Sequence, residues 1–183
     1  LVAAALGRDV RAITLHADTS GATVSRGDAR RLPLSLKAFA GYPAPAVAGL
    51  GAAAMLREGY ALALLWFTVL LFLLVLVRVR NLYGVLVLVV GAAALGWAAW
   101  ALEGSGRVGL AYGIAWLLLI GAVRAVVELS ESRARGRGRG SDADALARLT
   151  GVPGGVWVAV FWVVCVGCAA WGGWWMVAGL PLA

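Results

Sequence analysis

The chain has 183 residues, of which 62% are hydrophobic and only 14% charged, with a mean hydropathy of +0.89. Soluble domains carry about 25% charged residues, so this composition excludes an ordinary soluble globule and sets the chain among membrane proteins. The net charge of +7 does not call for nucleic acid, because basic residues held on the cytoplasmic side of a membrane protein give the same balance. No nucleic-acid partner is expected.

Residues 1–6 (LVAAAL) read as the tail of an apolar helix, with Gly7 as its C-cap. A leucine start and no secretory signal pattern lead to the expectation of further sequence N-terminal to Leu1. Residues 10–16 (VRAITLH) hold β-branched side chains in partial alternation and read as a strand. Asp18, Thr19, Ser20 and Gly21 form a turn, and residues 22–25 (ATVS) return as a second strand. One hairpin is marginal in water, so it must lean on the membrane bundle or on other chain.

The first expected crossing is 38–56, rich in small residues and holding Pro43 and Pro45. Small residues let helices approach closely, so this segment is expected inside the bundle, with a re-entrant loop as the alternative. The second is 60–77, with seventeen uncharged residues from Ala61 to Val77 before Arg78 and Arg80. About 17–25 apolar residues at 1.5 Å each span the roughly 30 Å hydrocarbon core. The third is 82–102, with Trp97 and Trp100 at its far end, where an aromatic belt belongs. Residues 103–107 (EGSGR) read as a short polar loop and 108–127 as the fourth crossing, with Gly109 and Gly113 in a small-xxx-small spacing.

Residues 130–151 are the longest polar stretch. The part 132–140 (SRARGRGRG) reads as a flexible basic loop able to touch anionic headgroups. Ser141 to Leu149 reads as an N-capped short helix with Asp142 and Asp144 in its first turn. Val152, Pro153, Gly154 and Gly155 break it, and the last crossing is 156–177, with Trp171, Trp174 and Trp175 toward its outer end. The fold class expected is thus an all-α polytopic membrane protein of about five transmembrane helices, about six with an N-terminal helix before Leu1, plus a small N-terminal cytoplasmic β-hairpin. The segments are 1–37 (helix end and hairpin), 38–128 (four crossings), 129–155 (basic loop with short helix) and 156–178 (last crossing).

Charge sets the orientation. With the N-terminal region inside, fourteen of the sixteen basic residues fall on the cytoplasmic side, leaving only Arg57 and Arg107 outside. A re-entrant first segment would put Arg78 and Arg80 opposite the N-terminal cluster, so the bias favours a true crossing at 38–56. The C-terminus is then outside, and the compartment expected is the plasma membrane.

The single histidine, His16, cannot build an H-E-x-x-H pair, and there is no G-x-S-x-G, no P-loop and no acid between Gly59 and Leu102. As it stands the chain holds no complete catalytic constellation. Asp142 and Asp144 are the densest acids; helix capping explains both, and metal ligation is the alternative. Cys165 and Cys168 are read as small residues on one face of a crossing rather than a redox or metal pair, since structural zinc needs four ligands.

Four stretches in order, LGRDVRAITLHADTSGATVSRGD, AFAGYPAPAVAGLGAAAML, VRVRNLYGVLVLV and SDADALARLTGVP, resemble the M50B-like peptidases, relatives of the site-2 intramembrane metalloproteases. The resemblance runs over essentially the whole chain. It implies a zinc metallopeptidase that cleaves membrane-associated protein or peptide substrates near the cytoplasmic face, a glutamate activating a zinc-bound water against a peptide carbonyl. The H-E-x-x-H of that family would lie on a helix before Leu1, so residues 1–183 alone are expected to be inactive. A third ligand on a later helix corresponds in position to Asn81; an amide is a poorer zinc ligand than a carboxylate, which leaves Asp142 or Asp144 as substitutes. The hairpin, through Val10, Ile13, Leu15, Thr23 and Val24, would pair with an unwound substrate strand. The lipid bilayer is the other partner expected. The alternative is a non-catalytic scaffold or pseudoprotease; a transporter is disfavoured because the crossings lack buried ionisable groups and internal repeats.

Overall fold

An apolar run in a bilayer has no water to satisfy its backbone, so it closes its hydrogen bonds within itself as a helix. The computed structural model shows this for each of the long apolar runs. It describes residues 9–15, 21–26, 35, 38–136 and 141–178. The expected helix at 1–6, His16, the turn before Gly21 and residues 137–140 of the basic run lie outside the described residues.

Two strands, β1 (Asp9–Leu15) and β2 (Gly21–Arg26), pair antiparallel. Among the described residues six helices follow: α1 (Pro43–Arg57), α2 (Ala61–Leu76), α3 (Leu82–Ala101), α4 (Gly104–Ala134), α5 (Asp142–Thr150) and α6 (Gly154–Ala178). Among the described residues α3, α4 and α6 are long and apolar enough to cross a membrane. The 16-residue α2 is apolar but shorter.

The first helix differs from the expected 38–56. Ala38 to Ala40 make a helical turn, Gly41 and Tyr42 a tight turn, and α1 begins anew at Pro43. Proline has no N–H to donate and fits a first helical turn, so the chain restarts there. The loop expected at 103–107 shrinks to Leu102 and Glu103, because Gly104 to Arg107 already belong to α4. A first turn tolerates polar residues, which is why composition misplaced this boundary. At its other end α4 runs past the expected Val127 to Ala134, taking in Ser130 to Arg133.

The chain divides into two compact units, Leu1–Ala29 with Ala61–Val108, and Arg30–Tyr60 with Gly109–Ala183. In the first unit, α2 and α3 form a helical hairpin. Leu64, Leu65 and Val69 of α2 and Leu88 and Ala92 of α3 are buried, and the Phe72 ring lies over Gly91, where a side chain would meet it at 2.9 Å. β1 contacts α3.

In the second unit α1, the α4 segment from Gly109, and α6 meet at Leu119, which is fully buried. A methyl group on Gly49 would stand 2.8 Å from Leu119 Cγ and 3.1 Å from its backbone nitrogen. One on Gly172 would stand 3.0 Å from Leu119 Cδ1 and 3.4 Å from Ala53 Cβ. Small residues thus let three helices close on one leucine, the kind of packing that replaces hydrophobic driving force inside a bilayer. Nearer the α5 end, Ala46, Val126, Leu129, Ala143, Leu146, Phe161 and Cys165 make a second buried cluster.

Trp97, Trp100, Trp171 and Trp174 are all exposed. Trp175 receives the Arg57 guanidinium 5.4 Å from its ring centroid, beside the edge-on Trp171. Amphipathic rings at helix ends suit the headgroup level.

Candidate functional site

Polar side chains collect at two places, one in each unit. In the second unit the centre is Arg133, in the last turn of α4. Its Nη1 donates to Asp144 Oδ1 at 2.6 Å and to Ser141 Oγ at 3.1 Å. The ion pair is about three-quarters buried, with side-chain exposures of 28% and 24%. The N-terminus of α6 closes against it: a Cβ on Gly154 would lie 3.0 Å from Arg133 Nη2 and 3.1 Å from Asp144 Oδ1. The Asp144 carboxylate therefore serves three elements. It sits in the first turn of α5, neutralises Arg133 of α4 and lies at the positive end of α6.

Ser141 holds the N-cap position of α5, as the sequence leads one to expect, but its hydroxyl accepts from Arg133 instead of capping the helix. Gly151 ends α5 in the left-handed conformation, φ 76°, with its N–H donating to the Ala147 carbonyl at 2.9 Å.

Asp142 packs over the turn before α1. Its Oδ2 occupies the place of a side chain at Gly41, so a larger residue there would displace the carboxylate. The charges of Asp142 and Glu128 both reach the Tyr42 phenol. The Tyr42 ring stacks on Phe161 at 5.3 Å, and its carbonyl accepts the Cys165 thiol at 3.7 Å. In Gly41-Tyr42-Pro43 the glycine makes room for a carboxylate, the tyrosine supplies an aromatic contact and the proline starts a helix. Cys165 is a fully buried core residue, and Cys168 packs against the same cluster. A shallow open groove of about 210 Å³ runs along Glu128, Glu131, Ser132 and Arg135, where Arg135 pairs with Glu131 at 2.9 Å.

The first unit holds Asn81 and the strands. Asn81 takes the N-cap position of α3 with extended backbone, φ −108° and ψ 142°; its side chain does not cap, and its carbonyl accepts the Val85 N–H at 3.0 Å. Before it come exposed Arg78, buried Val79 and exposed Arg80, with Val79 in a β-bridge. Between the two strands, Ile13 pairs with Thr23, Leu15 with Gly21 and Ala12 with Val24, and an irregularity falls between Val10 and Ala12. Val10 is opposite Ser25.

Of the three residues considered as metal ligands, Asn81 belongs to the first unit and Asp142 and Asp144 to the second. Asp144 is taken up by Arg133. Among the described residues no three His, Cys, Asp or Glu side chains converge to hold a metal ion. The described residues do not by themselves fit zinc, which needs at least three protein ligands. Sequence reading found Asp142 and Asp144 but missed Arg133, Gly41 and Gly154, whose partners lie on other helices.

No curated protein and no solved structure matches the chain. The family model described as Peptidase M50B-like matches residues 1–172. That match covers nearly all of the 183 residues and agrees with three helices able to cross a membrane. This chain is a membrane protein that belongs to the Peptidase M50B-like family.

Proposed function

We propose that the chain is an integral membrane metallopeptidase, or a piece of one, that cleaves membrane-associated protein or peptide substrates near the cytoplasmic face. The observation that carries this reading is the family match over residues 1–172. In this proposal all five apolar helices cross the membrane, α1 and α2 being the short ones. The N-terminal region lies in the cytoplasm, the C-terminus outside and the protein in the plasma membrane, following the bias of basic residues.

Zinc is the cofactor proposed, because M50 peptidases usually depend on it. Its histidine pair is not among these 183 residues, which hold one histidine. On this reading the pair is encoded N-terminal to Leu1. Asn81 is proposed for a third ligand, with Asp142 or Asp144 as substitutes, Asp144 being the one paired with Arg133. The strands give the substrate a place. A membrane peptide must unwind before its backbone is exposed to attack, and an unwound segment can add to a sheet edge by main-chain hydrogen bonds. Val10, Ile13, Leu15, Thr23 and Val24 are proposed to line that edge.

The test compares residues 1–183 with the protein carrying its upstream sequence, each in membranes with a tethered reporter peptide. The longer protein is expected to cleave and to lose cleavage on zinc chelation; residues 1–183 alone are expected to be inactive. Cleavage by residues 1–183 alone would overturn the proposal of an upstream histidine pair. An upstream sequence without H-E-x-x-H, or a longer protein without zinc-dependent cleavage, would make this a non-catalytic scaffold.

A further inference from the structure

Where α4 hands over to α5, one hydroxyl stands apart from its neighbours. Ser130 Oγ donates to the Val126 carbonyl at 2.8 Å, and Thr150 Oγ1 to the Leu146 carbonyl at 2.7 Å. Both hydroxyl hydrogens are spent on the helix that carries them. Ser132 lies within α4 and presents helical backbone. Ser141 is partly exposed, and its backbone is extended, φ −64° and ψ 163°. Its Oγ accepts from Arg133 Nη1 at 3.1 Å and makes no cap bond to α5. Among the described residues it gives its hydrogen to no acceptor. The sequence before it is basic: Arg135, Arg137 and Arg139 precede Ser141 at every second position, alternating with glycine.

We propose that Ser141 is a phosphorylation site, modified by an arginine-directed serine kinase that uses a nucleoside triphosphate. In that transfer Ser141 Oγ attacks the γ-phosphorus. The new Oγ–P bond replaces the bond to the leaving nucleoside diphosphate, and the hydroxyl proton passes to a carboxylate base of the kinase. The arginines supply the recognition, because an acidic cleft takes such a run by charge complementarity. The fold supplies the receiving place. A phosphoserine carries close to two negative charges and three acceptor oxygens, and it is stabilised opposite arginine and at a helix N-terminus. Arg133 already touches the oxygen that would carry the phosphate, and Ser141 is the N-cap residue of α5. The same nitrogen, Arg133 Nη1, holds Asp144 Oδ1 at 2.6 Å. The dianion therefore competes with the Asp144 carboxylate, and modification moves the tie between α4 and α5 from Asp144 to Ser141. The inference needs neither the metal nor the peptide substrate proposed above. It uses only the proposed orientation, with this end in the cytoplasm.

The test incubates the whole chain in phosphatidylcholine nanodiscs with radiolabelled ATP and the catalytic domain of an arginine-directed serine kinase, and maps the label by mass spectrometry. The wild type is expected to take up phosphate at Ser141. Ser141→Ala is expected to lose that uptake and Ser141→Thr, which keeps a hydroxyl, to retain it. Arg137→Gln with Arg139→Gln is expected to slow uptake about tenfold. Absence of uptake by the wild type overturns the proposal, whether or not a free peptide of residues 133–147 is labelled. So does uptake by Ser141→Ala at the wild-type level. Thermal unfolding then reads the role of Arg133. Asp144→Ala is expected to lower the unfolding temperature of the phosphorylated chain about half as much as that of the unmodified chain, or less, because the phosphate then holds Arg133. Equal lowering in both overturns the transfer of Arg133 to the phosphate.

Discussion

The two units solve the same problem, burying helices in a bilayer, with different materials. The second closes three helices on Leu119 through Gly49 and Gly172 and ties its polar end with Arg133, Asp144 and Gly154. The first relies on a helical hairpin in which one aromatic ring, Phe72, lies over Gly91. A glycine facing backbone cannot be replaced without moving a helix, whereas one facing the far edge of a ring can be accommodated by the ring. The second unit seats its glycines against Leu119 and pairs three of its arginines with acids, whereas the first leaves Arg78 and Arg80 exposed.

Substituting the glycines breaks that contrast most sharply. Gly49→Leu forces a side chain against the Leu119 backbone and is expected to destabilise by about 3 kcal/mol, or to prevent folding. Gly91→Ala meets a ring edge and is expected to cost about 1 kcal/mol or less. Thermal unfolding in detergent compares the two, and equal losses would erase the distinction.

The ion pair between Arg133 and Asp144 ranks next. Asp144→Ala leaves the Arg133 guanidinium without its partner and is expected to cost about 2 kcal/mol. Adding Arg133→Gln to that variant is expected to recover part of the loss, and a double-mutant cycle without coupling would show that the pair contributes nothing. Ser141→Ala removes one hydrogen bond to Arg133 and is expected to cost about 1 kcal/mol or less by the same assay. Smallest of all, Arg124→Gln breaks an exposed pair four residues apart on α4 and is expected to change stability by no more than about 0.5 kcal/mol. A larger change would mean that Arg124 does more than sit at the surface.

How much of this the sequence discloses follows from the range of each interaction. The apolar helices are legible because absence of charge over a long window is a local property, as between Ala61 and Val77. Their ends are less so: Pro43 resets a helix that composition alone carries on from residue 38, and Gly104 to Arg107 read as loop while forming a first turn. The short helix after Ser141 is legible from its acids and from the glycines beyond it. What Asp142 and Asp144 touch is not, because Gly41 is about a hundred residues away and Arg133 lies across a basic run that itself gives no pairing signal. The packing role of Gly49 and Gly172 is equally hidden, since a glycine in a helix shows its purpose only when the facing residue is known.

The 31 residues of α4 have a further consequence. At 1.5 Å per residue they extend about 46 Å, against roughly 30 Å of hydrocarbon. About ten residues are therefore surplus to the crossing, and four of the five charged ones, Arg124, Glu128, Glu131 and Arg133, gather at the C-terminal end. The helix is a stilt. With the crossing proposed above, it carries Arg133 to a set height above the lipid, and with it the α5 carboxylate that Arg133 holds. A thicker bilayer swallows part of that height, and removal of one turn lowers the platform by about 5.4 Å. Bilayer thickness thereby becomes a variable to which the polar end of this protein is mechanically exposed.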